Sequence, residues 1–396
     1  MGALDGIRVL DVGQLVQGPQ AAQTLGDLGA DVIKIELPVI GDLSRWIPAA
    51  AGEHRSGFFH ACNRGKRSIA IDLRTADGRE VFLRLVETAD IVIANFRVGT
   101  LEGWGIGYDD ARACNPRIIY GLGSLFGPDG PGADREGADL AAQAAGGLIS
   151  TTGGDGQPIT PVGVTIADHI ASQNLTIGVL AALAARERTG VGQRIDVSLL
   201  GGQIWAQASE YTSYFLSGQV PQRSEDGHPY VRGVYGICPT ADGHVALVGV
   251  GTARRAEFFE LIGRPDLATE ERFAVPWMSH DDHRDLWFVL SEVFRARTTA
   301  EWCALLDEHG FRYAPVNDYA AASSDPHTIE NRYVIETEHP DWGTVRAVGS
   351  PIAMSESVPT IAATSPSLGE HTDEVLTSIG YDAPGIDALR AAGVVG

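Results

Sequence analysis

A chain of 396 residues with 44% hydrophobic side chains can bury a large core, which excludes a disordered protein and makes two domains the expectation. Its formal net charge of −21 excludes a general affinity for nucleic acid, which needs a basic surface, but not a local cationic pocket for an anionic ligand. Cys62, Cys114, Cys238 and Cys303 form no CxxC pair and the histidines lack zinc spacing, so unpaired thiols in a reducing compartment and no metal site are expected.

No apolar run approaches the ~20 residues of a membrane span. The first residues lead into a strand without a basic-then-apolar leader, so a cytoplasmic location is expected. Residues 7–36 then predict a βαβ unit: strand 7–12, a loop from Gly13 to Pro19, a helix from Gln20 to Leu28 capped by Gly29, and strand 31–36. Glu36 at the end of the second strand invites a dinucleotide reading. The loop lacks GxGxxG, however, and Pro19 removes a backbone donor that a pyrophosphate would use.

Further strands are predicted at 67–74, 90–96 and from Arg117, with a helix from Glu80 to Thr88. Strands alternating with helices over about 200 residues predict an α/β fold with a mostly parallel wound sheet. Ligands of such sheets bind outside the carboxyl ends of the strands, where Asp72, Asn95 and Phe96 fall. Arg64, Lys66, Arg67 and Arg74 cluster in sequence, with Arg97 able to join them. They read either as a solvated loop or as a phosphate contact for an anionic cofactor. Residues 124–137, rich in Gly, Pro and Asp, predict an exposed loop.

Residues 161–194 hold the most informative side chain. Asp168 stands where a loop becomes a long helix, and both it and Thr165 qualify as caps. Ile170, Ile177, Leu180, Leu183 and Ala184 follow at helical spacing, Arg186 and Arg188 suit the C-terminal end, and Gly190 suits a left-handed cap. Spacing alone leaves Asp168 as either a plain cap or a nucleophile. Residues 194–200 predict a strand or the start of a helix, and 210–227 a connection leaving the first domain.

From residue 228 the texture changes to a hairpin with an Asp242-Gly243 turn, then helices at 253–262, 282–296 and 299–309. Residues 331–361 return to strand-like texture with Trp342-Gly343 at a turn, and Leu368 to Thr372 precede a final helix. His54, His60, His169, His228 and His371 have no Ser or Cys partner at motif spacing, and Ser198 lacks a GxSxG context.

Several segments, in this order, carry a family likeness. They are Leu4-x-Gly6-Ile7-Arg8-Val9-Leu10-Asp11, Leu28-Gly29-Ala30-Asp31 running on to Glu36, Asn63-Arg64-Gly65-Lys66-Arg67, and Asp90 to Asn95-Phe96-Arg97. Asn115 to Gly121, Gln143 to Gly147, Thr189-Gly190-x-Gly192-Gln193, Pro239 to Gly243 and Leu368 to Thr372 complete the set. Over essentially its whole length the chain resembles the family III CoA-transferases, among them formyl-CoA transferase and carnitine-CoA transferase. The α-methylacyl-CoA racemases share their fold.

The resemblance implies a large Rossmann-like domain, 1–205, a linker, 206–227, a small α+β domain, 228–325, and a linker with a C-terminal return to the large domain, 326–396. It implies an interlocked, ring-like homodimer, a topology that accounts for long connections near 205–230 and 320–335. It makes Asp168 the nucleophile that transfers coenzyme A from an acyl-CoA donor to a small carboxylic acid, through a mixed anhydride and an aspartyl-CoA thioester. By motif match, CoA is held by Val16 and Gln17, by Ile71, Asp72, Leu73 and Arg74, and by Asn95, Phe96 and Arg97. Departures are Leu37 where many members carry Arg, Gly103 in place of a basic residue with Trp104 beside it to stack, and Glu136 and Ala138 before Asp139. A racemase, the alternative reading, needs a His at the position of Ala138. The sequence leaves open whether the Gly249-Val250-Gly251 stretch acts as the loop that some relatives place over the active carboxylate.

Overall fold

The computed structural model describes residues 2–154, 156–224 and 227–396. They divide into two compact units, one of Met1–Gly146, Gly163–Ala206 and Pro326–Gly396, the other of Gly147–Val162 and Gln207–Asp325.

The first unit is built on six parallel strands: β1 Arg8–Asp11, β2 Asp31–Glu36, β3 Arg67–Ala70, β4 Ile91–Ala94, β5 Ile119–Ser124 and β6 Arg194–Ser198. Their order, β3-β2-β1-β4-β5-β6, is the Rossmann order. Successive side chains of a strand face opposite ways, and helices cover both faces, so the central strands are mostly apolar, with Asp11, Lys34 and Glu36 as buried charged exceptions. Leu10, Ile33, Ile35 and Val92 pack on one face with Val81, Phe82 and Leu85 of the Ala76–Glu87 helix. Val9, Val32, Ile91 and Ile93 pack on the other with Ala21, Leu25, Leu175 and Val179 from the Gln17–Asp27 and Ile166–Thr189 helices.

The C-terminal end of the Ile166–Thr189 helix is set by its own sequence. Gly190 closes it in the left-handed conformation, φ 76°. Arg186 is buried and donates to the Asp90 carboxylate at 2.8 Å and to the Arg117 carbonyl at 3.2 Å. Residues 194–200 are both things the sequence allowed, strand to Ser198 and helix from Leu199 to Ala206.

The expected strand 67–74 is cut to Ala70. Beyond it the backbone pairs with the end of the chain: Ile71 bridges to Val395, and the Asp72 N–H donates to the Val394 carbonyl at 2.8 Å. The Leu368–Thr372 motif covers the rest of this edge. The Ser68 and Ala70 N–H groups donate to His371 Nδ1 and Thr372 Oγ1, each at 3.2 Å, and the His371 N–H donates back to the Ser68 carbonyl at 2.8 Å. A sheet edge that would otherwise be open is closed by side chains three hundred residues away in sequence.

The second unit carries an antiparallel sheet, β7 Val234–Pro239, β8 His244–Val250 and β9 Tyr313–Pro315. Helices Arg255–Leu261, His280–Phe294 and Thr299–Glu308 pack on it around Phe258, Phe259, Leu286, Trp287, Phe294 and Trp302. The stretch read as a connection, 206–227, includes a regular helix, Ala208–Ser217. Residues 147–162 group with this unit.

Candidate active site

The order in which strands are added reverses between β1 and β4, and the loops after these two strands open a crevice at their carboxyl ends. The loops are bonded to each other. The Gln14 N–H donates to Asn95 Oδ1 at 2.7 Å, and Asn95 Nδ2 donates to the Gln14 carbonyl at 2.9 Å. Below them lies a buried ionic group. Lys66 Nζ donates to Asp11 Oδ2 at 2.7 Å and to the Pro19 carbonyl at 2.8 Å, and Lys34 Nζ donates to the Gly13 carbonyl and pairs with Asp42 at 2.7 Å. Burial works against the Lys34 charge, but Asp11, Asp42 and Glu36 outweigh it and hold its pKa above the ordinary value. Leu15, at φ 63°, is kept in its left-handed conformation by its N–H donating to Asp42 Oδ1 at 3.0 Å. These bonds fix the course of residues 13–19.

The basic cluster read from the sequence does not exist as a cluster. Arg64 is buried and pairs with Asp27, Lys66 serves the ionic group, and Arg67 is bound to Asp31 and Glu374. Only Arg74 faces solvent, held by Asp72 through two contacts of 2.7 Å. Arg97 lies 3.6 Å from Glu136. Glu36, the acid that invited a dinucleotide, is occupied by Arg45, the Asp42 N–H and Ser68 Oγ.

Two adjoining cavities collect most of the sequence-derived residues. One is lined by Gln17, Asn95, Phe96, Arg97 and Asp168. The other is lined by Ile71, Asp72, Leu73 and Arg74, and by Phe96 again. Gln14 and Phe96 line both. Val16 is buried and lines neither. Leu37 and Trp104 line the second cavity and Gly103 does not; the Trp104 ring stands edge-on to Phe96 at 5.1 Å between centroids. Gln17 fits only because residue 123 has no side chain: a Cβ on Gly123 would lie 2.5 Å from Gln17 Cδ. The sequence reading missed Gln14, Leu15, Arg135 and Leu199 in the first cavity; the loop position of Gln14 and Leu15 was the available signal.

Asp168 sits in the first turn of the Ile166–Thr189 helix, and it is not the cap. Nor is Thr165, whose side chain makes no capping bond. The Asp139 carboxylate takes that role from another helix, accepting the Ala167 N–H at 2.6 Å and the Asp168 N–H at 3.3 Å. Gln143 Nε2 donates to the other Asp139 oxygen at 2.5 Å. Among the described residues no hydrogen bond or ion pair engages the Asp168 carboxyl. Burial, and then the Asp139 charge, push its pKa up to about 7. His169 points elsewhere, with Nδ1 2.5 Å from Gln20 Oε1, and burial lowers its pKa. Gly249 and Gly251 belong to the second unit, where they line a cavity with Tyr235, Trp277 and Arg312. Among the described residues no three His, Cys, Asp or Glu side chains converge as metal ligands, and no helix is long and apolar enough to cross a membrane.

A crevice at the switch point, an unpaired carboxyl in one chamber and an apolar second chamber with an arginine at its rim suit a long anionic ligand with a reactive end. Known proteins agree. The model of CoA-transferase family III matches residues 4–372. A succinyl-CoA:mesaconate CoA-transferase of Haloarcula marismortui is 36% identical, over 96% of this chain and 98% of its own. A succinate–glutarate CoA-transferase of Agrobacterium fabrum is 34% identical over 95% of both chains. The crystal structure of a CAIB/BAIF family protein from Brucella suis superposes with a TM-score of 0.85 at 34% identity, covering 96% of this chain and 99% of that one. The chain is thus an enzyme of CoA-transferase family III, whose members take CoA thioesters as substrates.

Proposed function

We propose that the protein moves CoA between two small dicarboxylic acids by covalent catalysis on Asp168. The carrying observation is the state of that carboxyl: partly buried, released from capping, without a hydrogen-bond or ion-pair partner among the described residues, and in one cavity with Gln17, Asn95, Phe96 and Arg97. A carboxylate attacks a thioester poorly unless it is desolvated and placed against the carbonyl.

Four steps account for every bond. Asp168 attacks the donor thioester carbonyl, forming a mixed anhydride and releasing CoA thiolate. The thiolate attacks the aspartyl carbonyl of the anhydride, giving aspartyl-CoA thioester and the donor acid as its carboxylate. The acceptor carboxylate attacks that thioester, forming a new anhydride and thiolate again. The thiolate finally attacks the acceptor's carbonyl, giving the new acyl-CoA and restoring Asp168. No net proton is exchanged, so the site needs no dedicated acid. This fits the neighbouring His169, which is turned to Gln20.

CoA would lie across both cavities, its thioester beside Asp168 and its nucleotide end toward Ile71–Arg74 and Trp104, with Phe96 and Gln14 at the waist. Val16 enters this reading through its backbone only. The dicarboxylic class rests on the names of the two relatives, and on Arg97 and Arg135 lining the Asp168 cavity as candidate partners for a second carboxylate. Racemase chemistry is disfavoured: Ala138 lines the cavity where a proton-transferring histidine would be needed. The working form we propose is the interlocked homodimer.

The test is turnover of succinyl-CoA with hydroxylamine present, followed by peptide mass analysis. An aspartyl hydroxamate at Asp168 is expected. An unmodified Asp168 peptide in an enzyme that is turning over would defeat the reading.

A further inference from the structure

We infer that Asp139 is a positioning residue for the reaction: it frees the Asp168 carboxyl from the helix terminus and holds a negative charge beside it. The inference rests on the Asp168 reading above and extends it.

A helix start presents several amide groups without partners. An aspartate in the first turn ordinarily turns back toward them and toward the positive end of the helix dipole, which stabilises its anion and blunts it as a nucleophile. Here the two relevant amides, of Ala167 and Asp168, are already bonded to one oxygen of Asp139. Asp139 is itself 7% exposed, at the start of the Asp139–Ala145 helix, and its second oxygen is held by Gln143. Gln143 also donates to the Val164 carbonyl at 3.2 Å, which ties the loop before Asp168 to the same group. The outcome is a nucleophile placed on a rigid helix without being quenched by it.

The electrostatic effect acts in the same sense. Asp139 itself does not line the cavity; the ionisable side chains that line it with Asp168 are Arg97, Arg135 and Glu136, while His169 on the Asp168 helix is turned to Gln20. Arg97 is near Glu136. The like charge of Asp139 thus adds to burial in raising the Asp168 affinity for a proton, and for an acyl carbon.

Two variants separate the roles. D139N keeps an oxygen for the two amides and removes the charge; D139A removes both. With succinyl-CoA and a dicarboxylate acceptor, the acid limb of kcat/KM in D139N should move to lower pH, and kcat on the alkaline plateau should fall, with thermal stability close to wild type. D139A should also melt earlier. A D139N limb at the wild-type pH, with any loss of rate matched by loss of folded protein, would reduce Asp139 to a structural cap and overturn the inference. Hydroxylamine trapping on the wild type runs alongside. No Asp168 adduct there sinks the nucleophile itself, whereas an adduct together with an unmoved D139N limb sinks only the role given to Asp139.

Discussion

A carboxyl held near pKa 7 in the folded chain, against 3.8 for an ordinary aspartate, must leave a trace in stability as well as in rate. Between about pH 4 and about pH 7 the folded state binds more of this proton than the unfolded state does, so stability contributed by this group falls as pH rises through that window. Below it the cost vanishes, and above it the cost is complete. D168N removes the charge and keeps the shape. Its melting temperature should exceed that of the wild type at pH 8, and the gap should close as pH falls toward 4, while CoA transfer is lost at every pH. Equal melting at pH 8 would mean that the carboxylate is well solvated, and the case for a primed nucleophile would fail. Residue spacing alone left its role open between cap and nucleophile, and only the family resemblance chose the nucleophile; the reason is physical. What distinguishes a cap from a nucleophile is where the first amides of the helix find their acceptor. Here that is Asp139, close in space but twenty-nine positions away.

The elements that local pattern dictates were legible: the alternating or wholly apolar strands β1, β2, β4 and β5, the long helix with its Gly190 cap, and the hairpin at Asp242-Gly243. What failed was set by distant partners. Lys66 has the spacing of a surface cation, yet it turns inward because Asp11, itself buried, needs a counter-charge. Residues 71–74 have the pattern of a strand, yet Ile71 bridges to Val395, the Asp72 N–H donates to the Val394 carbonyl and the Arg74 N–H turns back to the Asp72 carboxylate. The Leu368–Thr372 motif, with its histidine, has the look of chemistry and acts as a clamp on the edge of β3. Thr372→Val tests the clamp by deleting the acceptor of the buried Ala70 N–H while keeping the side chain's shape. Leaving such a donor unpaired costs about 1–3 kcal/mol, and for a unit of this size each kcal/mol lowers Tm by roughly 2–4 °C. Because β3 runs directly into Ile71–Arg74, the KM for acyl-CoA should rise in the same variant. A lowered Tm with unchanged KM would separate the clamp from the proposed nucleotide end of the site.

At the scale of the whole molecule, each unit leaves large apolar side chains uncovered: Val39, Trp46 and Trp205 on the first, Phe215 and Leu216 on the second. Large exposed apolar side chains are the material from which an interface between copies would be built, although the net charge of −21 works to keep copies apart. A second copy of the chain is the occupant that the proposed interlocked homodimer supplies. Light scattering should then give twice the chain mass of 42.0 kDa, and dilution to nanomolar concentration should yield no folded half. Interlocking demands more than affinity, since two closed chains part only when one of them opens. Exchange of subunits between differently labelled dimers should therefore be no faster than unfolding, and it should accelerate with urea in step with the loss of helical signal. In an ordinary face-to-face dimer, exchange would follow the dissociation rate and finish while both chains remained folded. That result would keep the dimer and remove the interlock, and a folded species of single-chain mass would remove both.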